Sequence, residues 1–289
     1  MRFGIAILPD QPWTIARGRW RRAEEYGFDH AWTYDHLGWR DLVDGPWFDS
    51  IATLTAAATA TTTIRLGTFV ASPNFRHPVH LAREITSLDD ISDGRLTLGV
   101  GAGGGEFDAA VLGMPALSPK QRVDRFAEFV DILDRLLTEQ HLTAHGDYYN
   151  AVDARAIPGC SQQPRVPFMM AANGPRSMRL AVRYGAGWVT TGPKVDDADE
   201  WWRAIGDARN RFDDALATAG REPTTITQTL SIDSSPVYSL SSVEAFKDAV
   251  GRAEALGFTD VVTHWPRESS WYAGSEAVLE TVAADVLGR

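Results

Sequence analysis

One cysteine, Cys160, stands in 289 residues, so no internal disulfide can form and the disulfide-dense scaffolds of oxidising compartments are excluded. Basic charge is short as well. Against 38 Asp and Glu there are 28 Lys and Arg, a formal net charge of −10, and without a basic face the chain lacks the electrostatic footprint of a nucleic-acid or anionic-membrane binder. Long apolar runs are missing too. The first, Gly4-Ile5-Ala6-Ile7-Leu8, is ended by Pro9 and Asp10 after a strand's length, with no small-residue cleavage site behind it, so neither a signal peptide nor a membrane span is expected. No Gly-x-Ser-x-Gly occurs, which removes the nucleophile elbow of serine hydrolases. With these absences an ordinary soluble protein is expected, and a cytoplasmic home fits best.

What is present is apolar material for a full core, 44% of residues against 23% charged, and one device used three times. Ala23-Glu24-Glu25-Tyr26-Gly27-Phe28, Ala181-Val182-Arg183-Tyr184-Gly185-Ala186-Gly187 and Ala253-Glu254-Ala255-Leu256-Gly257-Phe258 each carry a helical stretch into a glycine and then into a short apolar run. A glycine just past a helix suits the left-handed C′ position, and the chain then enters a strand. Strands are expected near 2–7, 30–34, 64–70, 95–100, 167–171, 187–190, 225–232 and 260–263. Helices are expected near 14–26, 48–60, 78–90, 119–138, 175–184, 197–219, 242–256 and 275–287. Continuously apolar strands alternating with helices point to the α/β class and a (β/α)8 TIM barrel, as a single domain over 1–289. The rival is an open doubly wound sheet. Between helix four and strand five, residues 139–166 lack helical periodicity and read as an insertion that could hold a hairpin.

In such a barrel chemistry sits at the C-terminal ends of the strands. Asp35-His36 follows strand two, where a histidine can move a proton near neutral pH and a carboxylate can fix its tautomer; the same histidine could equally be tied into loop hydrogen bonds. Strand four runs into Gly101-Ala102-Gly103-Gly104-Gly105, which lets backbone N–H groups approach a phosphate or a flat ring. Strand five leads to Asn173-Gly174-Pro175-Arg176-Ser177, an anion site at a helix start or a plain cap built on Asn173. His77 and His80 have no completing carboxylate or histidine pair, so no metal is expected. Trp13, Trp39, Phe75, Phe107, Trp265 and Trp271 fall in the rim loops, where they could line an apolar pocket.

The run Glu24-Glu25-Tyr26-Gly27-Phe28-Asp29-His30-Ala31-Trp32-Thr33-Tyr34-Asp35-His36 resembles the signature opening of the bacterial luciferase-like monooxygenase superfamily. So do Arg65-Leu66-Gly67-Thr68-Phe69-Val70, Phe75-Arg76-His77-Pro78, the stretch from Leu88 to Gly103, and Ala172-Asn173-Gly174-Pro175-Arg176-Ser177-Met178. The match runs in order from residue 1 to about 193 and more weakly through 255–263. It implies the barrel with its insertion, a flavin-type cofactor at the C-terminal rim and a homodimer, through the helices after strands two and three. The resemblance is greatest to the F420-dependent oxidoreductases, which use a deazaflavin. FMN-using members often carry an Arg after strand four, where this chain has Gly103-Gly104-Gly105-Glu106, so coenzyme F420 is expected, with FMN as the alternative cofactor.

Carried onto matching positions, the resemblance makes His36 the proton donor or acceptor beside Asp35, both counted as catalytic, with Asp35 also among the cofactor-binding residues near the ring. It makes Phe69-Val70 the site of a bulge with a non-prolyl cis peptide behind the cofactor ring. Gly101, Ala102, Gly103 and Gly104 with Ala171, Ala172, Asn173, Gly174, Arg176 and Ser177 become the segments along the cofactor's tail. Trp39, Phe75, Glu106, His264 and Trp265 are left for the substrate pocket. Sugar-phosphate dehydrogenases of this family carry a catalytic Glu directly after Gly-x-Gly; here Gly104 stands there and Glu106 comes two residues later, which argues against sugar-phosphate oxidation. The rivals are an FMNH2-dependent monooxygenase, with Arg176 and Ser177 on the phosphate, and a non-catalytic F420 carrier.

Overall fold

Helices and strands alternate as the glycine joints require in the computed structural model, which describes residues 1–104 and 107–288. β1 (Arg2–Ala6), α1 (Trp13–Glu25), β2 (His30–Thr33), α2 (Ser50–Ala60), β3 (Arg65–Thr68), α3 (Pro78–Ile91) and β4 (Leu96–Gly101) come first. A short α4 (Phe107–Val111) and a long α5 (Pro119–Thr138) follow, then β5 (His141–His145) and β6 (Asn150–Arg155). The chain continues through β7 (Phe168–Ala171), α6 (Pro175–Tyr184), β8 (Gly187–Thr190), α7 (Ala198–Thr218), β9 (Thr227–Ser231), α8 (Val243–Ala255), β10 (Asp260–His264) and α9 (Glu276–Val282). Eight strands close a parallel barrel in the order β1-β10-β9-β8-β7-β4-β3-β2. The expected (β/α)8 barrel is therefore the observed fold, and the open sheet is excluded by the closure of β1 on β10. No helix among the described residues is long and apolar enough to cross a membrane.

Two of the three joints work as expected. Gly27 and Gly257 have φ of 85° and 79°, the left-handed conformation other residues resist. Gly185 does not: it caps α6 in an extended conformation. Glycine is required there by contact, since a Cβ would sit 2.6 Å from the Ala181 carbonyl oxygen and 2.8 Å from that of Gly187. Proline opens α3, α5 and α6, where its missing N–H costs nothing. The insertion is a hairpin: β5 and β6 pair antiparallel. Glu128 on α5 clamps its turn by accepting the backbone N–H groups of Asp147, Tyr148 and Tyr149 at 2.9, 2.9 and 2.6 Å.

Strand parity sorts the interior. His30, Trp32 and Tyr34 along β2, like Asp260, Val262 and His264 along β10, alternate onto the barrel's inner face. A main apolar core lies between barrel and helices. A second, smaller cluster of Leu8, Trp32, Tyr34, Phe69, Met169, Val189 and Val262 fills the upper barrel, with Trp39, Trp47, Val70, Ala171 and Tyr272 packed on it. That second cluster is the floor on which the C-terminal mouth is built.

Candidate active site

His36 leaves the end of β2 in a rim loop and is partly exposed. Its Nδ1 lies 2.7 Å from Asp108 Oδ2, and Asp108 Oδ1 accepts the backbone N–H of Leu37 at 2.7 Å. An ionised carboxylate only accepts, so Nδ1 carries the proton and Nε2 is left as the reactive nitrogen. Among the described residues Nε2 has no hydrogen-bond partner. The loop is fixed further by Trp47, whose indole N–H donates to the His36 carbonyl at 2.8 Å.

Asp35 is not the carboxylate that holds His36. Its side chain is 1% exposed and points the other way, accepting from Ser50 Oγ at 2.5 Å and from Arg76 Nη2 and Nε at 2.6 and 3.1 Å. Successive residues of an extended chain project oppositely, so neighbours in sequence meet different partners. Burial alone would lower the Arg76 guanidinium, but the hydrogen bond and charge of Asp35, with Glu84 and Asp49 nearby, carry it above its ordinary value. Asp35 thus ties the loop after β3 to the start of α2. Asp108 is the partner that sequence reasoning missed; it comes from α4, which was read as loop.

The segments expected along a cofactor are brought together. The Phe69–Val70 peptide is cis, as the resemblance implied, and Phe69 packs nearly parallel to Tyr34 with centroids 6.3 Å apart. Gly101 ends β4 between Val70 and Ala171; a Cβ there would come 3.0 Å from Val70 Cγ2 and 3.1 Å from Ala171 Cβ. Gly103 has φ of 77° and sits against the Asn74 amide, while among the described residues a Cβ on Gly104 would meet nothing within 4 Å. Behind this loop the buried Arg125 guanidinium gives Nη2 to Asn74 Oδ1 at 2.6 Å, and among the described residues its Nε has no partner. Gly105 and Glu106 lie outside the described residues.

After β7 come Ala171, Ala172 and Asn173. The Asn173 amide is spent on Thr190 and Thr191, accepting from Thr190 Oγ1 at 2.7 Å. The N-cap of α6 is therefore Gly174, which offers no side-chain cap to the first-turn N–H groups. Ser177 Oγ accepts from the Gly174 N–H at 3.3 Å and donates to its carbonyl at 3.0 Å. Arg176 is exposed and ion-paired with Asp124 of α5, so its charge is already answered.

Of the residues assigned to a substrate pocket, Trp39 meets the mouth, edge-on to Tyr34 at 5.1 Å and parallel to Tyr272 at 6.2 Å. Phe75 lies in the loop after β3 beneath the Arg76 guanidinium, 4.7 Å away. Trp265 does not belong there. Parity turns it outward from β10 into the main core, where its indole N–H donates to Glu276 at 2.9 Å. His264 points inward but is 1% exposed, covered by Tyr272, whose ring stacks on it at 3.8 Å. Over the mouth, Asp41 accepts from the Trp271 indole at 2.6 Å and from Ser270 at 3.1 Å, with Arg40 between the Trp39 and Trp271 rings.

A cavity of about 330 Å³ opens at the opposite, N-terminal mouth, among Arg2, His30, Arg65, Thr97, Gln162 and Asp260. Its polar groups answer one another. His30 Nδ1 accepts from the Trp32 indole at 2.6 Å and Nε2 faces Asp260 at 3.0 Å, so the ring is tied on both sides. Catalytic loops belong to the other end. Among the described residues no group of three or more His, Cys, Asp or Glu side chains is placed to hold a metal ion.

The family profile of luciferase-like monooxygenases matches residues 1–258. The chain belongs to that family. Among similar proteins, an F420-dependent glucose-6-phosphate dehydrogenase of Amycolatopsis mediterranei is 37% identical over 60% of this chain and 52% of its own length. An F420-dependent hydroxymycolic acid dehydrogenase of Mycobacterium tuberculosis is 30% identical over 71% of this chain and 54% of its own. The chain thus spans about half the length of these curated relatives. The coenzyme F420-dependent tetrahydromethanopterin reductase of Methanopyrus kandleri superposes with a TM-score of 0.79 over 99% of this chain and 98% of its own, at 19% identity, a likeness of fold. The barrel fold agrees with the family.

Proposed function

We propose that this luciferase-like protein is an F420-dependent oxidoreductase, a single barrel domain over 1–289, that moves a hydride between C5 of the deazaflavin and a small organic substrate. His36 takes or gives the accompanying proton through Nε2. The observation that carries the reading is the Asp108-held imidazole, its Nε2 without a partner among the described residues, at the same mouth as the Phe69–Val70 ledge and the glycine loop. Relatives named as F420-dependent dehydrogenases support the choice of cofactor.

The residues present fit that group. Phe69, Val70 and Ala171 offer an apolar floor for a flat ring, and among the described residues the space a Cβ at Gly104 would take is open. An anionic tail fits the uncapped first turn of α6 with Ser177, assisted by the helix dipole. The buried Arg125, which has no carboxylate partner among the described residues, adds positive potential behind the glycine loop. Bound F420 supplies two-electron hydride chemistry, so the protein's part is to position, to exclude water and to handle one proton. Trp39, Tyr272 and the Asp41–Trp271 clasp shield the mouth from water. The chain is further proposed to work in the cytoplasm as a homodimer through α2 and α3; sedimentation showing only monomer removes the dimer.

Titration of the purified protein with F420 and separately with FMN, followed by cofactor fluorescence, tests the assignment. Micromolar or tighter binding of F420 alone is expected. Preference for FMN moves the protein to the monooxygenase branch, and binding of F420 without hydride exchange across a substrate panel makes it a carrier.

A further inference from the structure

Beneath the mouth runs a line of hydrogen bonds that the His36 chemistry does not use. Asp233, in the turn after β9, is buried; its Oδ2 accepts the backbone N–H of His264 at 2.6 Å and Thr263 Oγ1 at 3.0 Å, and lies 3.0 Å from His264 Nδ1. Its Oδ1 accepts the Ser239 N–H at 2.8 Å. His264 Nε2 is 2.9 Å from the Tyr34 hydroxyl, and that hydroxyl is 2.9 Å from the hydroxyl of Tyr272.

Counting protons orders the line. A carboxylate that already collects two backbone N–H groups and a hydroxyl acts as an acceptor, so His264 Nδ1 bears hydrogen and Nε2 of the neutral ring accepts. Tyr34 has one proton and spends it on Nε2. Tyr272 must then donate to Tyr34, which turns the free lone pairs of Tyr272 away from the line. If His264 gains a second proton, every bond reverses: Nε2 donates to Tyr34, Tyr34 donates to Tyr272, and the Tyr272 proton is turned out. Tyr272 thus accepts a proton in one state and offers one in the other. It is packed, with Trp39 and Ala171, on the cluster that holds Phe69, the floor of the proposed cofactor site.

We propose that Asp233, His264, Tyr34 and Tyr272 form a proton relay opening on the barrel mouth, a second route beside His36 for the one proton that accompanies the hydride, which takes the hydroxyl proton of an alcohol substrate during oxidation and returns it during carbonyl reduction. For an alcohol R2CH–OH the O–H bond breaks as a Tyr272 O–H bond forms. The Tyr272 and Tyr34 protons each move one place inward, and a new N–H bond forms at His264 Nε2. The hydride leaves the same carbon with its electron pair for the deazaflavin, and R2C=O remains. Burial keeps the phenols of Tyr34 and Tyr272 protonated, Tyr272 up to about 12, so both pass protons without resting as phenolates. The charged and titratable groups around the line are Asp233, Tyr238, whose hydroxyl donates to the His264 carbonyl at 2.7 Å, and the guanidiniums of Arg40 and Arg267 on the Tyr272 side.

The relay rests on the oxidoreductase reading only for its substrate, and a test in the cofactor-free protein separates the two. In protein labelled with 15N-histidine and 13Cζ-tyrosine, NMR should find His264 protonated on Nδ1 near neutral pH. On acidification the His264 Nε2 and Tyr272 Cζ signals should move with one midpoint, because the bonds reverse together. A ring protonated only on Nε2, a Tyr272 signal that stays still while His264 titrates, or no titration of His264 before acid unfolding overturns the relay. With F420 bound and a panel of secondary alcohols, Tyr272→Phe keeps the ring and its stacking and should slow hydride transfer less than about 3-fold while His36 is present, and about 10-fold further in the His36→Ala background, with F420 affinity unchanged. His36→Ala/Tyr272→Phe should therefore lose more than the product of the two single effects. A double variant no slower than His36→Ala alone overturns the relay as a second route. Failure of F420 to bind strikes the cofactor reading, while the NMR titration still decides the relay.

Discussion

His36 Nδ1 and Asp108 Oδ2 meet at 2.7 Å across 72 residues of sequence, joining the loop after β2 to the short helix α4. Asp108 is buried, and its second oxygen pins the Leu37 N–H, so one side chain sets both the tautomer and the position of the imidazole. Asp108→Asn keeps the shape and an acceptor for Leu37 but can present an N–H to Nδ1, which then holds the proton on Nε2. Turnover should fall on the order of 10²-fold, against about 10²–10⁴-fold for His36→Ala, with F420 affinity within about 3-fold. Single-turnover kinetics beside the fluorescence titration measure both, and an Asp108→Asn enzyme as fast as the parent removes Asp108 from the mechanism.

That pairing also marks where sequence reading stops. The barrel was legible because its signals are local: apolar strands of four to six residues, prolines at helix starts, and glycines at the joints. His36, the Phe69–Val70 ledge and the two loop segments were legible because they lie at strand ends, where a barrel places its site. Asp108 was not, since no periodicity announces a five-residue helix after a glycine loop. Trp265 was misassigned although parity could have placed it, for it follows an inward His264 on an extended chain. The same parity, applied to His30, Trp32 and Tyr34, carries Tyr34 into the barrel.

The Asp35–Arg76 pair is a buried ion pair with side chains 1% and 11% exposed. Arg76→Leu leaves the Asp35 carboxylate in the interior with Ser50 as its remaining side-chain donor, and should cost about 3–5 kcal/mol. Asp35→Asn/Arg76→Leu removes the stranded charge and should recover part of that loss. Urea denaturation of the three proteins is the measurement; a double variant less stable than Arg76→Leu would show that Asp35 is held by something other than this charge.

The glycine loop separates packing from ligand space. Gly104→Ala places a methyl where no atom of the described residues lies within 4 Å, so stability should stay within about 0.5 kcal/mol of the parent. Where F420 lies along the loop, the methyl occupies its room, and affinity should fall about 10-fold, or about 1.4 kcal/mol. Gly101→Ala presses on Val70 and Ala171 and should lose both stability and affinity. Equal F420 affinity for Gly104→Ala and the parent, at unchanged Tm, takes the cofactor's tail off this loop.

The tyrosines make the fold sensitive to alkali. Burial is the leading cause that raises Tyr34, Tyr149, Tyr184, Tyr238 and Tyr272 above the ordinary phenol value of 10.0, with Tyr184 and Tyr272 reaching about 12. A raised folded value means that the native state binds these protons more tightly than the unfolded chain does. Their contribution is therefore whole below about pH 10 and is lost as pH climbs through about 12. Tm should hold steady up to about pH 9.5 and then drop, by on the order of 5 °C at pH 11. Phenolate absorbance should rise together with unfolding rather than ahead of it. Tyr272→Phe removes one of these ionisations and should flatten the alkaline limb, whereas an unaltered limb would place the lost stability in the other buried phenols.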